Sequence, residues 1–195
     1  MNRTKTGWIN LIFLVITLII NTMGALGLIN GLSQKEVSDM FPTLITPAPF
    51  AFSIWGVIYL LVIISLIVMI VKKDNLYYQR AIDNISVLFR ISCLFNSLWI
   101  ISFSYVQIGL SVLFIFGLVI SLTSICKKLL KIQTGKQFLL PFTFGLYAGW
   151  VFIATVVNIS VLLVKLNWNG FGIADETWAG IVLIIAVMLV IWVIL

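Results

Sequence analysis

Pro47-Ala48-Pro49-Phe50-Ala51-Phe52-Ser53-Ile54-Trp55-Gly56-Val57-Ile58-Tyr59 decides how the chain is read. Two prolines open it, where a helix can begin without losing a backbone hydrogen bond. From Phe50 to Val71 the chain then carries no charge, a run long enough to cross the hydrocarbon of a bilayer as a helix. Phe52, Trp55 and Tyr59 recur at intervals of three and four, which predicts three rings on one helix face. Rings gathered on one face of a buried span point to a site rather than to lipid contact.

Composition carries the membrane reading to the whole chain. Of its 195 residues, 62% are hydrophobic and 9% charged, and the mean hydropathy is +1.20. A soluble domain of this size has no interior for so much apolar surface, so the class is an all-α integral membrane protein of several spans. The apolar runs far exceed the roughly 10 residues of a barrel strand and lack its alternation. A net charge of +6 does not indicate a nucleic-acid partner, because the basic residues are scattered at span ends and form no contiguous face. There is no His to hold a metal. The two cysteines, Cys93 and Cys126, lie in or beside apolar runs and read as packing residues, not as a disulfide framework.

Six spans are expected, at about residues 8–28, 49–71, 87–105, 108–122, 138–164 and 178–195, the fourth continuing as helix to Lys127-Lys128. The first reads as a retained span, since it outruns a signal-peptide core and lacks a small-x-small cleavage site. The polar connector 30–46 holds Ser33 and Glu36 at capping-box spacing, which predicts a short surface helix. Gln107-Ile108-Gly109 is the turn signal between the third and fourth spans, and Arg90, one turn inside the third, is expected to snorkel to the interface. Residues 1–164 form the core. Residues 165–195 add a polar loop and a further span, which stops at Leu195 with no charged flank, as a truncated span would. Ten of the twelve Lys and Arg fall on the side of the N-terminus, leaving Lys35 and Lys165 on the other. That bias sets the N-terminus in the cytoplasm.

Three spans repeat one pattern of rings with small or polar residues. The second has Phe52, Trp55 and Tyr59; the third has Asn96, Trp99 and Phe103; the fifth has Tyr147, Trp150, Ala154 and Asn158, each set at helical spacing. In the deduced orientation these faces reach similar depths in the outer half of the bilayer, with the connector on the same side and able to close over them. Rings and amides at one depth suit a flat, mostly apolar ligand. Gly27/Gly31 and Gly145/Gly149 have small-xxx-small spacing and read as packing within the chain before a dimer face. No Asp or Glu lies inside a span, which disfavours an ion-coupled transporter. Nothing pairs a nucleophile with a base or forms a nucleotide-binding loop, so no enzyme is expected.

These motifs resemble the TspO/MBR family, the tryptophan-rich sensory proteins related to the mitochondrial translocator protein. The family's Pro-Pro, Phe and Trp-x-x-Leu-Tyr are matched by Pro47, Phe52 and Trp55-Gly-Val-Ile58-Tyr59. Its Asn-x-x-Trp followed by aromatics is matched by Asn96, Trp99 and Phe103. Its Pro-aromatic pair and Trp-x-x-x-Ala-x-x-x-Asn are matched by Pro141-Phe142, Trp150, Ala154 and Asn158. The chain departs from the pattern at Leu44, where the family usually has Trp, in the longer interval from Pro141 to Trp150, and in its sixth span. The resemblance covers about residues 8–164. It implies a five-helix bundle in a bacterial cell membrane, often homodimeric, with an outer-half pocket for porphyrin, haem or sterol-like ligands. That pocket maps onto Trp55, Tyr59, Asn96, Trp99, Trp150, Ala154 and Asn158, and the face reading adds Phe52, Phe103 and Tyr147. The expected function is a sensor or receptor with a tetrapyrrole as candidate ligand and no required cofactor. The rival is a transporter or permease subunit for lipophilic small molecules.

Overall fold

The computed structural model describes residues 2–135 and 137–194. It contains α1 (Arg3–Ala25), α2 (Gln34–Asp39), α3 (Ile54–Val71), α4 (Leu76–Ser104), α5 (Ile108–Leu130), α6 (Leu139–Lys165) and α7 (Asp175–Ile194), with 3-10 turns at Pro49–Ser53 and Gly170–Gly172. Among the described residues no strand occurs. Five segments are long and apolar enough to cross a membrane: α1, α3 with the turn before it, α4, α5 and α6. The chain is therefore an integral membrane protein. The sixth expected span forms α7, a 20-residue helix that packs against α6. Lys136 and Leu195 lie outside the described residues.

Each long helix divides into an inward and a lipid-facing stripe. On α3, Ile58, Val62, Leu66 and Met69 are buried, while Val57, Leu60, Ile64, Ile67 and Val71 lie exposed on the opposite face. In water that outer stripe would be a liability; in hydrocarbon it costs nothing. The five long helices close a ring: α1 packs on α4, α4 on α5, α5 on α6, α6 on α3, and α3 back on α1. The half nearer the N-terminus is filled solid, with the rings of Phe89 and Phe144 edge to face at 6.1 Å and Ser65 hydrogen-bonded to Thr143 at 3.0 Å.

A polar seam joins α1 to α4. Arg3 grips Asp83 and donates to Gln79 at 3.1 Å. Asn10 donates to Ser86 at 2.8 Å, Thr17 to the Cys93 carbonyl at 3.4 Å, and Asn21 to Asn96 at 2.6 Å. A nearly constant offset between partners means the two helices run parallel. The seven-residue steps 3, 10, 17 and 79, 86, 93 keep the partners on facing stripes.

Three local expectations need correction. The turn between α4 and α5 falls at residues 105–107, ahead of Gly109, and turns on Val106 at φ +57°. A β-branched residue is strained there, and Lys165 Nζ donates to its carbonyl at 2.5 Å. Gly27 and Gly31 follow α1 as turn residues at φ +71° and +76°, so they are no helix-packing stripe. Gly145 and Gly149 lie on α6 but have nothing within 4 Å of where a Cβ would stand, so they do not pack within the chain either. The glycines that do permit close helix packing are Gly7, Gly24 and Gly117, where a Cβ would meet Ile70, Ile100 and Phe95, each at 2.7 Å. Arg90 bonds within its own helix, its Nε donating to the Ser86 carbonyl one turn back at 3.1 Å.

Candidate functional site

The site begins where the chain enters α3. Pro49 opens a 3-10 turn through Ser53 before the α-helix starts at Ile54, so Phe52 sits on that turn rather than on the helix face with Trp55 and Tyr59. Its half-exposed ring still meets Trp150 edge to face at 6.3 Å. Trp55 is the hub. Its ring stacks on Tyr59 at 5.4 Å, tilts against Trp99 at 5.9 Å, and meets Tyr147 and Trp150 edge-on at 6.1 and 6.3 Å. Stacked and edge-to-face pairs of this kind add to the area they bury. The three indoles thus converge from α3, α4 and α6 instead of facing lipid separately.

They wall a cavity of about 510 Å³. Phe52, Trp55, Tyr59, Trp99, Phe103, Trp150, Ala154 and Asn158 line it; Asn96 and Tyr147 do not. Asn96 is fully buried behind the wall, in a closed set of hydrogen bonds. Its Nδ2 donates to the Tyr147 hydroxyl at 2.8 Å and the Tyr59 hydroxyl at 3.3 Å, and its Oδ1 accepts from Asn21 at 2.6 Å. Tyr59 in turn donates to Asn21 Oδ1 at 2.9 Å. Asn96 therefore fixes the rings in place rather than facing the hollow. Asn158 faces the cavity and is tied to Ser111 of α5 at 2.8 Å. The indole N–H groups of Trp99 and Trp150 are buried without a partner.

Reading motifs span by span missed the contribution of α1, while the connector expected to close over the rings does so through α2. Leu18, Asn21, Thr22 and Ala25 supply one wall; Gln34, Lys35, Ser38 and Asp39 supply the rim. Asn21 could have been found as the one amide at the far end of the heptad-spaced polar stripe of the first span. The rim helix α2 forms as its capping box predicts: the Glu36 N–H donates to Ser33 Oγ at 3.2 Å and the Ser33 N–H to Glu36 Oε2 at 2.7 Å. That backbone N–H holds the Glu36 carboxyl below the ordinary carboxylate range. Lys35 and Asp39 pair along the same helix. The site thus offers ring faces, one tethered amide, two unpartnered indole donors and an ion pair at its rim.

No curated protein and no solved structure matches this chain. A family model described as TSPO-like protein matches residues 7–195, which takes in α7 as well as the five-helix ring. On a match of nearly its whole length, the chain belongs to the TSPO-like protein family.

Proposed function

We propose that the protein is a membrane sensor or receptor that holds a planar hydrophobic molecule, a porphyrin, haem or sterol-like compound, among Trp55, Trp99 and Trp150. The observation that carries this reading is the convergence of those indoles on a hollow of about 510 Å³, a volume in the range of small-molecule sites. Flat apolar ligands gain most from ring faces. The two buried indole donors reward an acceptor on the ligand once an indole turns toward it, since an unmade buried hydrogen bond is costly. Asn158, held by Ser111, supplies a fixed amide.

The charge bias places the N-terminus in the cytoplasm and the cavity in the outer half of the bilayer, so the ligand arrives from the outer leaflet. In the same orientation α7, uncharged from Thr177 to Ile194, crosses as a sixth span. Gly145 and Gly149, open on α6, offer a close-packing face for a homodimer. The reading is of a binding protein and not an enzyme.

Titration of the detergent-purified chain with protoporphyrin IX is expected to quench tryptophan fluorescence saturably, with an apparent Kd that rises several-fold in Trp150→Phe. Quenching that is unchanged in the variant contradicts the reading. A permease would need a path beyond the cavity, through the half of the bundle filled by Phe89, Phe144, Leu66 and Met69. Vesicles reconstituted with the protein are therefore expected to bind the ligand without passing it.

A further inference from the structure

A second cleft lies at the opposite end of the molecule, between the start of α4 and the end of α5, lined by Arg80, Asn84, Lys128, Lys131 and Ile132. It holds about 160 Å³, roughly five waters' worth of space. Its cations are placed by the fold. Lys128 Nζ donates to the Asn84 carbonyl at 3.0 Å, and the Asn84 amide donates to the Arg80 carbonyl at 2.9 Å. No carboxylate lines it, and among the described residues the salt bridges are Arg3–Asp83 and Lys35–Asp39. Three cations thus converge without a counter-charge.

Depth decides what such a cleft meets. The 29 residues of α4 measure about 43 Å, against a hydrocarbon layer of about 30 Å. Roughly its first nine residues, as far as Asn84, therefore stand in the headgroup zone. Lys128 and Lys131 close α5 at the same level. The helix dipole accounts for cations at that end of α5 but not for Arg80, which sits in the first turns of α4.

We propose that this cleft binds a phosphate group, supplied by the headgroup of an anionic phospholipid or by a free phosphate. Arg80 presents a planar fork to two phosphate oxygens, the two lysines add point charges, and Ile132 gives an apolar side to the carbons beside the phosphate. Basic pockets between spans take anionic headgroups by this chemistry. The site is separate from the aromatic cavity and does not depend on what that cavity binds.

The test uses the full chain in neutral detergent, read by its thermal unfolding midpoint. Dioctanoylphosphatidylglycerol is expected to raise the midpoint and dioctanoylphosphatidylcholine is not. In Lys128→Gln/Lys131→Gln the half-saturating concentration should rise roughly tenfold, while Lys72→Gln/Lys73→Gln, at the same end but outside the cleft, should leave it unchanged. Should the double variant fail to fold, Arg80→Gln alone carries the comparison. A rise with inorganic phosphate, lost in the same variants, assigns the site to the free anion; a rise with the lipid alone assigns it to the headgroup. Equal response to both lipids with none to phosphate, or an equal loss in Lys72→Gln/Lys73→Gln, overturns the proposal.

Discussion

Both amide N–H groups of Asn96 are committed, one to Tyr147 and one to Tyr59, and its oxygen accepts a hydrogen bond from Asn21. Removing that amide strands the Tyr147 hydroxyl among apolar neighbours and leaves Tyr59 and Asn21 only their bonds to each other and to the Thr17 carbonyl. Asn96→Leu is therefore expected to lower stability by roughly 1–2 kcal/mol, measured by titration with a denaturing detergent. An unchanged midpoint would show that the four groups do not act together. The indoles were legible from sequence because Trp is rare and its helical spacing can be read directly. The role of Asn96 was not, since an amide among rings at the right depth reads equally well as a ligand contact or as an anchor. Only the position of Asn21, on a different helix, separates the two.

At the scale of elements, α2 is the part that sequence rules described best, because a capping box is a local device whose partners are three residues apart. Ser33→Ala removes the side-chain cap and should cost the helix about 1 kcal/mol, seen as lost hydrogen-exchange protection at Val37 and Met40. Glu36 gives the same element a pH dependence. Its carboxyl is held down in the folded state, so its contribution is complete above the ordinary glutamate value of about 4.3 and fades as pH falls from there toward the lower folded value. Protection of α2 should accordingly be flat from pH 7 to 5 and decline below. Val106 shows the limit of local rules. Gly109 is the residue that signals a turn, yet the left-handed position falls on a valine three residues earlier, because α4 continues to Ser104 and α5 must start at Ile108 to bury Ser111 against Asn158.

At the scale of the whole molecule, the cavity belongs to no single helix: α1, α2, α3, α4 and α6 each supply part of its wall. Span order and charge bias indicated that three ring-bearing faces reach one depth. They did not indicate that α1 runs parallel to α4 and completes the wall, because that follows from a polar seam between segments 76 residues apart. The orientation has its own check in a Cys126→Ser background. Leu44→Cys, on the connector, should react with a membrane-impermeant maleimide in intact cells, and Lys73→Cys only after permeabilisation; the reverse pattern would invert the topology. The hollow itself is tested most directly by filling it. Ala154 lines the cavity, and Ala154→Phe places a ring in the space a ligand would occupy. The affinity for protoporphyrin IX is predicted to fall at least about tenfold, a loss of roughly 1.4 kcal/mol, while the unliganded protein melts no lower than wild type. Undiminished affinity in a stably folded Ala154→Phe protein would contradict a ligand seated among Trp55, Trp99 and Trp150.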